Sequence, residues 1–146
     1  GARGWRRLLY VRLARKQIPT HLENFDYPQM SPNCLERRDS TVAPQALHLL
    51  NNGMVRQLAV YFAGRVSREA GEDVAKQVET AYWVALSRPP SAEERKVGVG
   101  ALSTLADKWA KHLAVSGEPG RDAARRKALA TFCHALMNSA GFLYVD

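Results

Sequence analysis

From residue 44 onward the apolar positions recur at helical spacing, in four successive stripes separated by turn signals. Before them, Pro44 suits a first helical turn, with Ser40 or Thr41 placed to cap it. That helix runs through Ala46, Leu47, Leu49 and Leu50 and stops at Asn51-Asn52-Gly53. Met54, Val55, Leu58, Ala59, Phe62, Ala63 and Val66 form the first long stripe, closed by Gly71. Val74, Val78, Ala81, Tyr82, Ala85 and Leu86 form the next, broken by Arg88-Pro89-Pro90. Ser91 with Glu94 has the spacing of a capping box and opens a helix with Leu102, Leu105, Trp109 and Leu113 along its seam. Ser116 to Gly120 reads as a turn. Ala124, Ala128, Leu129, Phe132, Leu136 and Met137 complete the last stripe.

The first 43 residues read differently. Trp5, Leu8, Leu9 and Leu13 fit a short amphipathic helix over 1–17, with a strand through Leu8–Leu13 as the alternative. Residues 18–43 keep no period and contain Pro19, Pro28 and Pro32. A loop this long exceeds the usual limit of about 12–15 residues and is expected to be functional or firmly packed. Leu22, Phe25, Tyr27, Met30 and Leu35 give it apolar anchors. The expected fold is all-α: a bundle of five or six helices over 44–141, with one long ordered loop at about 18–43, in a single domain spanning 1–146.

Composition supports a core, with 46% apolar residues in 146. No run approaches the roughly 18 apolar residues a membrane span needs, so no membrane span is expected. The net charge of +7 at first suggests a nucleic-acid partner. Its distribution argues otherwise. Arg3, Arg6, Arg7, Arg12, Arg15 and Lys16 lie within the first 17 residues without an acid, and the remainder holds 15 basic against 14 acidic side chains. With Trp5 and Tyr10 nearby, this arm has the ingredients of a single-strand binder. The domain offers no basic face to extend the footprint, so nucleic acid is the weaker expectation. The preferred reading is a helix that meets a preceding domain, with Trp5, Arg7, Tyr10 and Trp83 as candidate interdomain contacts.

Candidate chemistry concentrates at the junction of loop and helix, where Cys34, Arg37, Arg38, Asp39, Ser40, Thr41 and Gln45 cluster. Arg37 and Arg38 beside a helix start, with Ser40, Thr41 and Gln45, are a candidate anion- or ligand-binding set, suited to a phosphate, a sulfate or the carboxylate of an acidic polysaccharide. The competing structural reading has both arginines holding loop carbonyls and pairing with Glu36, Asp39 or Asp26. A nucleophilic Cys34 would need a base such as His48 or His134 beside it, which spacing does not supply. His21, His48, His112 and His134 show no metal spacing, and Glu93-Glu94 in a first helical turn serve the helix dipole. No phosphate-binding glycine loop or serine elbow occurs. No catalytic residue, metal site or cofactor is assigned from the sequence. Tyr61 and Trp83 fall off their apolar stripes and are expected to be exposed, whereas Phe62, Tyr82 and Trp109 are expected in the core.

Several longer stretches carry a resemblance. They are Asn24-Phe25-Asp26-Tyr27-Pro28, Pro32 through Leu47, Leu50-Asn51-Asn52, Ala85 through Pro90, and Met137 through Asp146. In this order they closely resemble the C-terminal domain of unknown function in large planctomycete proteins, which often carry a planctomycete-type cytochrome c-like domain. Arg6-Arg7-Leu8-Leu9-Tyr10 with Arg15-Lys16 looks like the start of the same block. The resemblance implies an exported, cell-envelope or surface setting, and a chain that is the C-terminal fragment of a multidomain protein. The start at Gly-Ala-Arg-Gly, without Met, fits a fragment. No reaction comes with the resemblance, and no Cys-x-x-Cys-His haem attachment occurs in this sequence. In an exported setting Cys34 and Cys133 could form a disulfide, the alternative being two buried thiols. The expected role is therefore a non-catalytic structural or interaction module whose partners are the preceding domains of its parent. The alternative is one half of an enzyme site for acidic or sulfated polysaccharide, completed by another domain.

Overall fold

The computed structural model describes residues 42–113 and 118–143. It divides the chain into two compact units, 1–48 and 49–146. Of the first, the described part is the opening of helix α1 (Val42–Asn51). Pro44 lies in the first turn of α1, where a missing N–H costs nothing. Its proposed caps, Ser40 and Thr41, lie outside the described residues, as do the arm 1–17 and the stretch 18–41 of the expected loop.

The second unit is a helical bundle built from α2 (Gly53–Ala70), α3 (Val74–Leu86), α4 (Ala92–His112) and α5 (Glu118–Met137), followed by a single turn, α6 (Ala140–Leu143). No strand occurs among the described residues. The all-α expectation is borne out.

Local chemistry explains the helix ends. Asn52 is the one non-helical residue between α1 and α2, and its Oδ1 accepts from the N–H groups of Met54 and Val55. Gly71 ends α2 with φ +66, a backbone conformation in which a side chain would be strained. Asp73 caps α3 by accepting from Ala75 and Lys76. Ser87 closes α3 in the left-handed conformation (φ 55) and donates its N–H to the Trp83 carbonyl. Ser91 and Glu94 form the expected capping box, each side chain bonded to the other's backbone N–H.

Neighbouring helices run antiparallel. Arg95 of α4 pairs with Glu79 of α3, and Gly98 lies against Val78. Farther along, Gly98 also faces Phe132 of α5, and Trp109 donates from Nε1 to Thr131 Oγ1 at 3.0 Å. α5 packs most extensively on α4 and α2. The core is small-residue rich: Val55, Ala59, Ala63, Val66 and Ala70 of α2 are buried, with Ala124, Ala128, Leu129, Cys133 and Leu136 of α5. Alanine seams bury little area per residue but let helix axes approach closely. The larger contributions, about 1.5–3 kcal/mol per fully buried branched side chain, fall to Val66, Val78, Leu102 and Leu129.

Three local expectations need correction. Met54 and Val74 stand on predicted stripes but are 51% and 40% exposed. Each lies in the first turn of its helix, and Val74 lines an open cleft instead of packing under a neighbour. Glu118, Pro119 and Gly120 form the first turn of α5 instead of a turn between helices. A proline near a helix start has a suitable φ and no N–H that the helix requires.

Candidate functional site

A cleft of about 600 Å³ opens where the α2–α3 turn meets the flank of the α4–α5 pair. Its origin is a mismatch in helix length. α3 has 13 residues and α4 has 21, or about 20 Å against about 31 Å at 1.5 Å per residue. The register set by Val78 against Gly98 brings the start of α3 level with the middle of α4. The second half of α4 and the first half of α5 therefore run on beyond α3, and the floor between them stays open. Buried Leu102, Ala128 and Leu129 form that floor, with half-buried Val99 and Ala106 beside them. Ser67, Ser103 and Gln77 add polar groups to the wall. Gln77 is held in place because its Nε2 donates to the Gly71 carbonyl at 2.6 Å, which also fixes the α2–α3 turn.

Charge of both signs rings this apolar floor. Glu72 comes from the turn, Asp107 from α4, and Asp122, Arg125 and Arg126 from α5. Arg125 pairs with Asp122 one turn earlier at 3.2 Å. Glu72, Asp107 and Arg126 make no ion pair among the described residues. No three His, Cys, Asp or Glu side chains among the described residues are grouped to hold a metal ion.

A second polar cluster braces the α3–α4 connection. Arg88 grips both carboxylate oxygens of Glu94 at 2.8 Å and lies 5.6 Å from the ring centre of Tyr82. The Arg88 bonds, followed by the Ser91 N–H, hold the Glu94 carboxyl down to about 2. Burial, and then the Glu94 charge, push the Tyr82 hydroxyl above its ordinary value. All these partners satisfy one another, so the cluster reads as a splint for the Arg88-Pro89-Pro90 turn.

The family model of PSD1, described as a protein of unknown function (DUF1553), matches residues 1–102. The chain belongs to this family. No curated protein and no solved structure shows a comparable match. The PSD1 match takes in α1, α2, α3, the Arg88–Glu94 splint and the first half of α4. Asp107, Asp122, Arg125 and Arg126 of the cleft lie beyond the matched residues.

The sequence-derived candidates fall mostly elsewhere. Arg37, Arg38, Ser40 and Thr41 lie outside the described residues, and Gln45 is half-buried on α1 and already engaged. Trp5, Arg7, Tyr10 and Cys34 also lie outside them. Cys133 is fully buried on α5, and burial pushes its thiol up to about 12. Trp83 is 51% exposed and Tyr61 60%, as their off-stripe positions predict. Phe62 and Tyr82 pack at the edge of the core, and Trp109 is half-buried under the Lys127 ammonium at 4.9 Å. Sequence reasoning missed the cleft. Its residues come from four helices and the α2–α3 turn: Val74, Leu102, Ala128 and Leu129 read as core-stripe positions, and the charged residues of the rim as ordinary surface positions.

Proposed function

We propose that this PSD1 chain is a non-catalytic interaction module of an exported, multidomain protein, and that its partners are other domains of the same parent. The observation that carries the reading is Trp83. It stands half in solvent on a helix whose opposite face buries Val78 and Ala81, where an indole is a poor choice for a free surface. Tryptophan is enriched where a partner covers it, because its large ring supplies contact area with little entropy to lose. Exposed Val60, Tyr61 and Val97 add apolar surface elsewhere on the bundle. No helix among the described residues is long and apolar enough to cross a membrane.

The test is association of this chain with the remainder of its parent, measured with and without Trp83→Ala. The expected result is binding that Trp83→Ala weakens by about tenfold or more, about 1.4 kcal/mol. Absence of association, or association indifferent to Trp83, overturns the reading. The exported setting has its own check. The structure holds Cys133 as a free buried thiol, so a Cys34–Cys133 bridge, which would make the unreduced protein lighter than the reduced one by two hydrogens, is the outcome that would correct it.

A further inference from the structure

We infer that the cleft between the α2–α3 turn and the α4–α5 pair is a docking groove for a short peptide segment that presents an apolar side chain flanked by lysine or arginine. The inference goes beyond the Trp83 reading: it assigns a second surface of the bundle and the chemistry of the segment that surface accepts.

The floor is already built. Leu102 and Leu129 are 5% and 4% exposed, yet both face the opening, together with half-buried Val99. A volume of about 600 Å³ lies within the usual range of about 300–1,000 Å³ for ligand clefts and holds a few side chains. The helix-length mismatch makes the opening a fixed feature of the bundle, so no rearrangement is needed to expose it. Apolar floor inside a charged rim is the layout of a protein-recognition patch, with desolvated contacts at the centre and polar ones at the edge.

Charge selects the occupant. The Asp122 carboxylate is answered by Arg125 at 3.2 Å, which leaves Glu72 and Asp107 as acids without an ion-pair partner among the described residues. They come from different elements of one rim that carries three carboxylates (Glu72, Asp107, Asp122) against two guanidiniums (Arg125, Arg126), so a cation is favoured there over an anion. Among the described residues, Arg126 is the rim cation without an ion-pair partner. It would donate to backbone carbonyls or to one acid of the same segment, giving the segment a direction. A purely acidic segment would meet two carboxylates for one guanidinium, and a purely apolar one would leave all three charges less hydrated without return.

The experiment is selection of displayed random short peptides on the whole chain, followed by titration of the selected sequence as a synthetic peptide. The expected result is a consensus of one or two apolar residues next to Lys or Arg. Its binding should fall about tenfold or more with Asp107→Lys and with Ser103→Trp, which fills the groove. Both positions are exposed, so both variants are expected to fold, as circular dichroism will show. Amide shifts on binding should centre on Val99 to Asp107 and Arg125 to Leu129. Trp83→Ala should leave the peptide affinity unchanged, which separates this groove from the Trp83 surface. Failure to enrich a consensus, an acidic consensus, or binding that ignores Ser103→Trp overturns the inference. Parent association that depends on Trp83 would then still stand.

Discussion

Gly98 of α4 and Val78 of α3 meet where no side chain fits between them. A Cβ at Gly98 would lie 2.9 Å from Cγ1 and 3.3 Å from Cγ2 of Val78, whose side chain has no exposed surface. Val78 cannot withdraw without disturbing the core it shares with Ala81, Leu102 and Cys133. Gly98→Ala is therefore expected to lose about 1–3 kcal/mol to overpacking, offset in part by about 1 kcal/mol of helix propensity. Gly100, two residues on, has nothing within 4 Å, so Gly100→Ala should gain up to about 1 kcal/mol. Urea denaturation of the two variants checks the opposite signs.

The Arg88–Glu94 pair makes stability depend on acid. The Glu94 carboxyl lies at about 2, below its ordinary 4.5, so between these values the unfolded chain binds more protons than the folded one. Its contribution is complete above about 4.5 and is lost as the pH falls towards 2. Because the pair is exposed, solvent screening keeps that contribution small. Glu94→Gln should flatten the acid limb of a stability-against-pH curve relative to wild type. An unchanged limb would show that the pair is not formed in solution.

Ser87 holds a left-handed conformation at φ 55, immediately before Arg88-Pro89-Pro90. Its N–H completes the end of α3, so the conformation is required by the turn. A side chain there costs about 1 kcal/mol that glycine avoids. Ser87→Gly should raise the melting temperature by a few degrees, and Ser87→Val should lower it.

Cys133 should be chemically silent in the native state. Its side chain is fully buried and its thiol is pushed up to about 12. Thiolate is the reactive form, so a Cys34→Ser variant should react with an aromatic disulfide reagent only as fast as it unfolds. The same burial predicts a loss of stability in alkali. Above an ordinary value of about 9 the unfolded thiol ionises while the folded one stays protonated. Rapid modification of the folded variant would show the α5 seam to be open.

The helices were largely legible in the sequence, and the candidate site was not. Ser91 and Glu94 announce a helix start by spacing alone, and the stripe Val55, Ala59, Ala63 and Val66 announces a buried face. Both signals are local, because capping and periodicity act over a turn or two of chain. The misreadings of Met54, Val74 and Glu118–Gly120 are also local, and all lie at helix ends, where a stripe does not reveal how far its neighbour extends.

By itself, the sequence determined, among the described residues, that α1 to α5 would form, roughly where each begins and ends, and which face the long ones would bury. Those outcomes depend on residues within a few positions of one another. Only the tertiary structure decided that Gly98 is a contact point, that Cys133 is sealed in the core, and that Glu72, Asp107 and Arg126 share the rim of one cleft. These follow from the register between α3 and α4 and from α3 being the shorter helix. Such relations join segments tens of residues apart, and no local pattern encodes them.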